Sequence, residues 1–444
     1  MLVRHRSRTR VASALVVAAA AVGLVCSPAH AATQSACTGP VGPGIAYQTD
    51  LGSYEVAAID TIHDRVAAVL QDTGGPSLAL PTPDGRKLYV NDWDATSIGV
   101  IDLCRWHIIK HIPVASSTFS AMARNGRFFY ASAGTTTYVI DTSTDKVVKT
   151  WTTPGSIITS KTSADDRILW VGSSDRGGEV FGLSTDTGEP VTPIMSAPGV
   201  PAWIALSPPG RHDMLYAGMA TDDVQFIDIS NPNAPTTTRR VVLNPTNPYN
   251  VVSFVDVTPD GRQLWSANSD GHVVVIDTAS GAILATIATP GTAWVAQPTP
   301  DGRRVFIGSS VDAPSAVLGI AGWVLAIAHA YPIAKSGQMT VVDTTTFKIL
   351  DRFATGIYPS GVEFPAHSVY LAPSTSARTT STPRSPKSKG GQRPASGSAV
   401  PLVTAPKGTL AATGLAVHLP LVGLGVLAGA AVLSRRRWVG ARVR

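Results

Sequence analysis

Short runs of β-branched and aromatic residues recur along the middle of the chain, each with one aromatic residue near its centre. A typical run is Arg86-Lys87-Leu88-Tyr89-Val90, whose pattern favours an extended strand. Successive central aromatic residues are 41, 40, 46, 49, 41 and 64 residues apart. A period of about 40 to 50 residues is typical of a unit of four short strands. The seven aromatic residues are Tyr89, Tyr130, Trp170, Tyr216, Trp265, Phe306 and Tyr370.

A turn motif precedes these runs and an aspartate motif follows them. Thr-Pro-Asp-Gly occurs at 82–85, 258–261 and 299–302. Proline fixes the first corner of a type I turn and glycine closes it, so the motif predicts a hairpin between a strand A and the aromatic strand B. A strand C then ends in Val-x-Asp-Thr, as at 139–142, and a strand D follows. Because the aspartates recur in nearly every unit, we expect them to tie turns by side-chain hydrogen bonds.

The repeats predict an all-β fold, a seven-bladed β-propeller of four-stranded antiparallel blades over residues 54–372. The first C strand, at 56–61, has no A and B strands before it in this interpretation, and the last aromatic run, at Tyr370, has no C and D strands after it. Sharing one blade between the two ends would close the ring and leave no exposed sheet edge. Residues 32–53 are then an N-terminal lead-in.

These units resemble the YVTN-type propeller repeats of bacterial surface and exported proteins. The resemblance covers about residues 54–372 and rests on the Thr-Pro-Asp-Gly turn, the aromatic strand and Val-x-Asp-Thr in phase. It implies the fold more firmly than an activity, because propellers carry many unrelated functions. Members range from surface-layer and adhesive proteins to relatives of lactonases and quinoprotein dehydrogenases.

One departure from the repeat is an insertion at 311–337, which is apolar over Ser315 to Ala328 and contains Trp323. The apolar run is short for a membrane span and predicts a helix that is buried or covered by a partner. It would lie in a B-to-C loop, either as a lid or docking element or packed on a neighbouring blade.

The two ends of the chain carry targeting patterns. Residues 1–31 combine four arginines, an apolar stretch and Ala29-His30-Ala31, the pattern of a secretory signal peptide. Residues 373–409 are rich in Ser, Thr and Pro and predict an extended, disordered stalk. An apolar run at 415–433 is long enough to span a bilayer, and the basic tail at 434–444 would stay in the cytoplasm.

The motif before that span is Leu410-Ala411-Ala412-Thr413-Gly414. With the span and the basic stop, it resembles the LAxTG sorting signal of class E sortases in Gram-positive bacteria. The resemblance implies that a sortase joins Thr413 to the peptidoglycan precursor and that Gly414 onward is removed. The alternative is an ordinary C-terminal membrane anchor, and either leaves the protein outside the cell, on the wall or the outer membrane face.

Charge is distributed unevenly along the chain. The whole sequence has a net charge of +6, but the signal, stalk and tail hold 15 of its 36 basic residues and none of its 30 acidic ones. The globular part is therefore acidic, which argues against a nucleic-acid partner. Removal of the signal leaves two cysteines, Cys37 and Cys104, which can form one disulfide in an oxidising exterior or remain as separate thiols.

Candidate ligand-binding residues come from the B-to-C and D-to-A connections, which share the face opposite the Thr-Pro-Asp-Gly turns. Aromatic rings beside carboxylates and amides suit a sugar or a peptide. The alternative is that these residues make turns and cover the ends of blade cores. The candidates are Asp92, Trp93, Asp94, Trp203, Asp222, Asp223, Tyr249, Asn250, Asn268, Asp270, Trp294, Trp323 and Tyr358.

Familiar catalytic motifs are absent from the sequence, and we assign no catalytic residue, metal ligand or cofactor. Asp92 and Asp94 offer too few carboxylates for a dedicated calcium loop. The function that fits best is a non-catalytic cell-surface module that binds a wall polymer, a glycan or a protein. The alternative is an exported propeller enzyme of the lactonase or quinoprotein type.

Overall fold

The computed structural model describes residues 37–365, apart from 73, 116–118, 248–249 and 312–335. The chain divides into two compact units, 1–37 and 38–444, and all of the described strands lie in the second. The described part of that unit is all-β, with strands in six antiparallel sheets and a single 3-10 turn at Asp175–Gly177. The signal peptide, stalk, sorting motif, apolar run and basic tail lie outside the described residues.

Five of the six sheets have four strands. The first contains, in spatial order, β26 (Pro359–Glu363), β1 (Ile45–Asp50), β2 (Glu55–Asp60) and β3 (Arg65–Gln71). The second contains β4 (Pro76–Pro81), β5 (Lys87–Asp92), β6 (Ser97–Asp102) and β7 (His107–Pro113). The others are β14 (Pro201–Leu206), β15 (Met214–Met219), β16 (Asp223–Asp228) and β17 (Thr236–Val242); β18 (Val252–Val257), β19 (Gln263–Asn268), β20 (His272–Asp277) and β21 (Ile283–Ala288); and β22 (Ala293–Pro298), β23 (Arg304–Val311), β24 (Ser336–Asp343) and β25 (Ile349–Thr355).

The sixth sheet has six strands and corrects the expected number of blades. It contains β8 (Phe119–Met122), β9 (Phe128–Asp141), β10 (Lys146–Thr162), β11 (Ile168–Ser173), β12 (Glu179–Ser184) and β13 (Met195–Ser196). The sequence predicts two separate blades here. The prediction of seven separate four-stranded blades is therefore wrong, and the described strands form six blades. The physical reason is that β9 and β10 continue where a break was expected. Residues 146–152 of β10 pair with β9, whereas residues 157–162 pair with β11.

The Thr-Pro-Asp-Gly hairpins are confirmed. In the first, Thr82 Oγ1 donates to Asp84 Oδ1 at 2.6 Å, and Asp84 Oδ1 accepts from the Arg86 amide at 3.1 Å. Gly85 closes the turn at φ 67°, in the left-handed region that favours glycine. The same hydrogen bonds recur in the turns at 258–261 and 299–302. Side-chain hydrogen bonds therefore join strands A and B in these three hairpins.

The aspartates at the ends of the C strands also tie turns, as expected. Asp277 Oδ1 accepts from the Ser280 amide at 2.7 Å, and the hydrogen bond from the Ser280 hydroxyl lowers the pKa of Asp277. The next residue, Thr278, donates from its hydroxyl to the carbonyl of Gly261 at 2.6 Å. This bond connects the C-to-D turn to the A-to-B turn of the same sheet. The Val-x-Asp-Thr motif is therefore structural.

Pairing between β1 and β26 closes the ring with the two ends of the described chain. Tyr47 pairs with Glu363, and Gln48 pairs with Val362. Closure between the ends is as expected, but the division of strands differs. The C-terminal part supplies only the A strand, and β1, within the segment predicted as a lead-in, supplies the B strand. Tyr370, expected in this blade, lies outside the described residues.

Seven inner strand segments surround the axis, because the six-stranded sheet contributes two. Contacts run from β4 to β8, β10, β14, β18, β22, β26 and back to β4. At the outer edge of one seam, Arg304 Nη1 lies 3.1 Å from Asp64 Oδ1, and the Arg304 guanidinium also donates to the carbonyl of Thr61 at 2.5 Å. Lys87 makes the equivalent pair with Asp145 at 2.8 Å. Ion pairs therefore join neighbouring sheets on the side of the A-to-B turns.

Candidate functional site

Aromatic residues in or beside strands of three sheets meet on the side of the B-to-C loops. Leu51, Trp294 and Tyr358 form a buried cluster, against which Trp93 and Ile357 pack while remaining partly exposed. We call these five residues the aromatic patch. Leu51 follows β1, and Ile357 and Tyr358 precede β26, so these three residues belong to the first sheet. Trp93 follows β5 of the second sheet and Trp294 lies in β22 of the last, so the patch joins three sheets.

Hydrogen bonds fix the geometry of the aromatic patch. The rings of Trp294 and Tyr358 meet edge to face with centroids 5.5 Å apart. Trp294 Nε1 donates to Ser310 Oγ at 2.6 Å, and the Leu51 amide donates to the carbonyl of Tyr358 at 2.9 Å. Tyr358 has φ 55°, an unusual conformation for a bulky residue. Strained residues of this kind persist only where their surroundings hold them.

A tyrosine and an exposed carboxylate lie next to Trp93. The Tyr54 hydroxyl donates to Asp94 Oδ2 at 2.5 Å, and Asp94 is exposed. Burial and the hydrogen bond to Asp94 raise the pKa of Tyr54 to about 12, so the phenol stays protonated at neutral pH. An exposed carboxylate beside a partly exposed indole gives this edge of the patch both a polar and an apolar surface.

Asp92 lies close in sequence but is fully buried. Its Oδ2 accepts from Ser97 Oγ at 2.6 Å and lies 3.4 Å from His111 Nδ1. Burial, with the negative charge of Asp72 nearby, raises the pKa of Asp92 to about 7. Asp50, at the corresponding end of β1, is also fully buried, and burial raises its pKa to about 8. Asp92 and Asp94 therefore face different partners.

A second group of predicted residues forms a buried polar network on the same side. Asn250 Nδ2 donates to Asp222 Oδ1 at 2.5 Å, and the Asp270 amide donates to Asn250 Oδ1 at 3.2 Å. Arg240 pairs with Asp223, with Nε 3.0 Å from Oδ2. Burial raises the pKa of Asp222 to about 6. These bonds join two neighbouring sheets, and they are what the turn-forming alternative predicts for these residues.

The remaining candidates lie elsewhere. Trp203 is in the inner strand β14, where its ring contacts Phe119 and Phe254 with centroids 5.6 and 4.9 Å away. Asn268 is buried, and its amide donates to the carbonyls of Ser266 and His272. Tyr249 and Trp323 are outside the described residues. Cys104 is disulfide-bonded, as is Cys37.

Sequence reasoning missed a polar layer around the axis. In each inner strand A, one residue pairs with the central aromatic residue of the neighbouring strand B, and these residues form the layer. Four of these residues are polar, namely Lys161, Asp256, Gln297 and Glu363, and the other three are Leu80, Ala121 and Ala205. The sequence contains a signal of this layer. Asp256 and Gln297 stand two residues before the Thr of a Thr-Pro-Asp-Gly turn, at a position where an inner strand is expected to carry an apolar residue.

The described part of the chain contains no cluster of three or more His, Cys, Asp or Glu side chains placed to hold a metal ion. It also contains no helix with the length and hydropathy of a membrane span.

Comparison with known proteins finds likeness only among solved structures. Hydrazine synthase of Kuenenia stuttgartiensis is similar with a TM-score of 0.51 and 18% identity, over 65% of this chain and 89% of that one. Dihydro-heme d1 dehydrogenase NirN, in complex with DHE, is similar with a TM-score of 0.53 and 16% identity, over 74% of this chain and 78% of that one. No protein-family model and no curated protein matches the sequence. At these identities the likeness shows the propeller fold alone.

Proposed function

We propose that this protein is a cell-surface binding module that takes a saccharide of a wall or extracellular polymer on the aromatic patch. The observation that carries the proposal is the convergence onto one patch of Trp93, Trp294 and Tyr358, which lie in or beside strands of three different sheets. Residues that only terminate blade cores need not converge across three sheets. The YVTN-type resemblance of the repeats is compatible with this function class, because such repeats occur in surface and adhesive proteins.

The chemistry of the patch suits a sugar ring. A pyranose presents an apolar face of C–H groups and a rim of hydroxyls, so it stacks on an indole and donates to a nearby carboxylate. Trp93 is partly exposed and supplies the ring, and exposed Asp94 supplies the acceptor. Covering roughly 100 Å² of apolar surface contributes about 2.5 kcal/mol, which corresponds to about 70-fold in affinity.

The proposal includes export and attachment outside the cell. The signal-peptide pattern at 1–31 and the sorting motif at 410–414 support a wall-bound protein, held by a sortase at Thr413 and joined to peptidoglycan. The basic stalk at 373–409 would lie against anionic wall polymers by loose electrostatic attraction. A propeller held in this way presents a binding face to the surrounding polymer.

A sedimentation assay with insoluble wall polysaccharide and purified protein tests the proposal. We expect the wild-type protein to sediment with the polysaccharide and Trp93→Ala to lose about 30- to 100-fold in affinity. Leu350→Ala is the matched control, because it removes an apolar side chain that is 53% exposed and lies in β25, outside the aromatic patch. Binding that Trp93→Ala leaves unchanged would overturn the assignment to the patch, and capture of only a protein would replace the saccharide with that partner.

The exported-enzyme alternative is separated by the fate of the ligand. A binding module returns its ligand unchanged, whereas a lactonase or a dehydrogenase converts it. Product formation from a lactone or an alcohol, lost in Trp93→Ala, would favour the enzyme.

A further inference from the structure

The axial layer defined above brings four polar side chains from four inner strands into one ring. Lys161 comes from β10, Asp256 from β18, Gln297 from β22 and Glu363 from β26. The layer lies near the A-to-B turns, at the opposite end of the strands from the aromatic patch. It is therefore independent of the proposed saccharide surface.

In the next layer of the axis, two residues earlier in each inner strand, three of the seven positions hold aromatic residues. The ring of Trp203 contacts the rings of Phe119 and Phe254, and Trp203 and Phe254 are buried. Lys161, Asp256 and Glu363 are partly exposed, so the polar layer is partly accessible to solvent. The aromatic rings form an apolar surface on its other side.

The charges in this layer are close but do not pair directly. Glu363 interacts electrostatically with both Lys161 and Asp256. Lys161 makes no ion pair with a carboxylate of the described residues, and its Nζ lies 5.9 Å from the centroid of the Trp203 ring. Opposite charges that share a partly desolvated space attract each other more strongly than they would in bulk water. A ligand that carries both charges could therefore pair with Lys161 and with the carboxylates at the same time.

An unsatisfied amide oxygen lies beside the carboxylates. Gln297 is 9% exposed, and its Nε2 donates to Asp256 Oδ2 at 2.7 Å. Its Oε1 has no hydrogen-bond partner among the described residues. A buried acceptor without a donor is unfavourable, so its retention next to the Asp256 carboxylate indicates a site for a donor.

We propose that the axial layer binds a small zwitterion of the amino-acid class. The ligand ammonium donates to Asp256, Glu363 and Gln297 Oε1, which matches its three N–H donors to three acceptors. The ligand carboxylate is held by Lys161. The inference goes beyond the saccharide module and uses the other side of the propeller.

Proton release accompanies this binding. Burial raises the pKa of Glu363 to about 7, with Lys161 opposing and Asp256 adding to the shift. The side chains from the other inner strands, Leu80, Ala121 and Ala205, carry no charge. An ammonium favours the ionised carboxylate, so binding expels a proton from the fraction of Glu363 that is protonated. Affinity therefore rises from pH 6 to pH 8.

Calorimetric titration of the purified protein with glycine, ethylamine and acetate tests the proposal. We expect glycine to bind, with ethylamine and acetate each weaker by about tenfold or more, because each lacks one charged contact. Lys161→Met and Glu363→Gln should each lose about tenfold for glycine, whereas Lys146→Met, at an exposed position in the same strand, should bind as wild type. Titration in two buffers of different ionisation enthalpy should show proton release in the wild type and none in Glu363→Gln.

Thermal unfolding of each variant separates loss of the site from loss of the fold. Glu363→Gln keeps the shape of the side chain, so it serves as the readout if Lys161→Met does not fold. Equal binding of ethylamine and glycine, no heat with any of the three ligands, or glycine binding that survives both variants would overturn the proposal. None of these outcomes bears on saccharide binding at the aromatic patch.

Discussion

Val362→Ala measures how firmly β26 closes the ring. Val362 is fully buried in the largest core cluster and pairs with Gln48 of β1. The substitution removes two carbons, which is about 1.6 kcal/mol of transfer free energy. A residual cavity of up to roughly 50 Å³ adds up to about 1.2 kcal/mol. We therefore expect the free energy of unfolding to fall by about 2–3 kcal/mol.

Urea unfolding followed by tryptophan fluorescence supplies the measurement. Val295→Ala, equally buried in the inner strand β22, should lose the same amount. Val242→Ala, 41% exposed in β17, should lose less than about 0.5 kcal/mol. The slope of free energy against urea should stay constant across the three variants. If Val362→Ala resembles Val242→Ala, β26 is not packed on β1, and the closure described here is wrong.

Three further predictions concern the seams, pH and attachment. Arg304→Met should lower the free energy of unfolding in urea by about 2–4 kcal/mol, because it leaves Asp64 without its partner at a largely buried contact between two sheets. Arg86→Met removes an exposed ion pair and should change the free energy of unfolding little. Burial raises the pKa of Asp50 to about 8, so the folded state holds the Asp50 proton at pH values above about 4, where the unfolded state releases it. The free energy of unfolding should therefore fall from pH 5 to pH 8. Thermal melts of Asp50→Asn should show a smaller fall over the same range. Thr413→Ala should move the protein from the wall to the membrane or the medium in fractionated cells, and unchanged release by muramidase would contradict the sortase assignment.

Local patterns in the sequence predicted the hairpins well. A Thr-Pro-Asp-Gly turn is specified by its own four residues, since proline, aspartate and glycine each fix one part of the geometry. The aspartates that end the C strands are equally local, because Asp277 bonds a residue only three positions later. Closure by the chain ends also followed from the pattern, because an incomplete repeat at each end leaves strand edges to be paired.

The number of sheets and the positions of the candidate residues depended on tertiary structure. The D and A segments of β10 form one continuous strand, which pairs with β9 at residues 146–152 and with β11 at residues 157–162 and so merges the expected blades into one sheet. Trp203 and Trp294 both stand near the start of an inner strand, but Trp203 turns toward the axis and Trp294 joins the aromatic patch. The different orientations of the two tryptophan rings depend on neighbouring residues that other sheets contribute. Lys161 and Glu363 share a layer although about 200 residues separate them, which no local pattern encodes.

Amide hydrogen exchange with and without a wall saccharide fragment tests the central claim most directly. The amides of Leu51, Gly52 and Trp93 lie in or beside the aromatic patch and donate to backbone carbonyls, so a ligand that covers the patch should slow their exchange. The amides of Gly85 and Gly261, in turns at the opposite end of the strands, should exchange at the same rate with and without ligand. Protection confined to those turns, or saturation by the fragment with no protection around Trp93, would contradict a saccharide-binding face built on the aromatic patch.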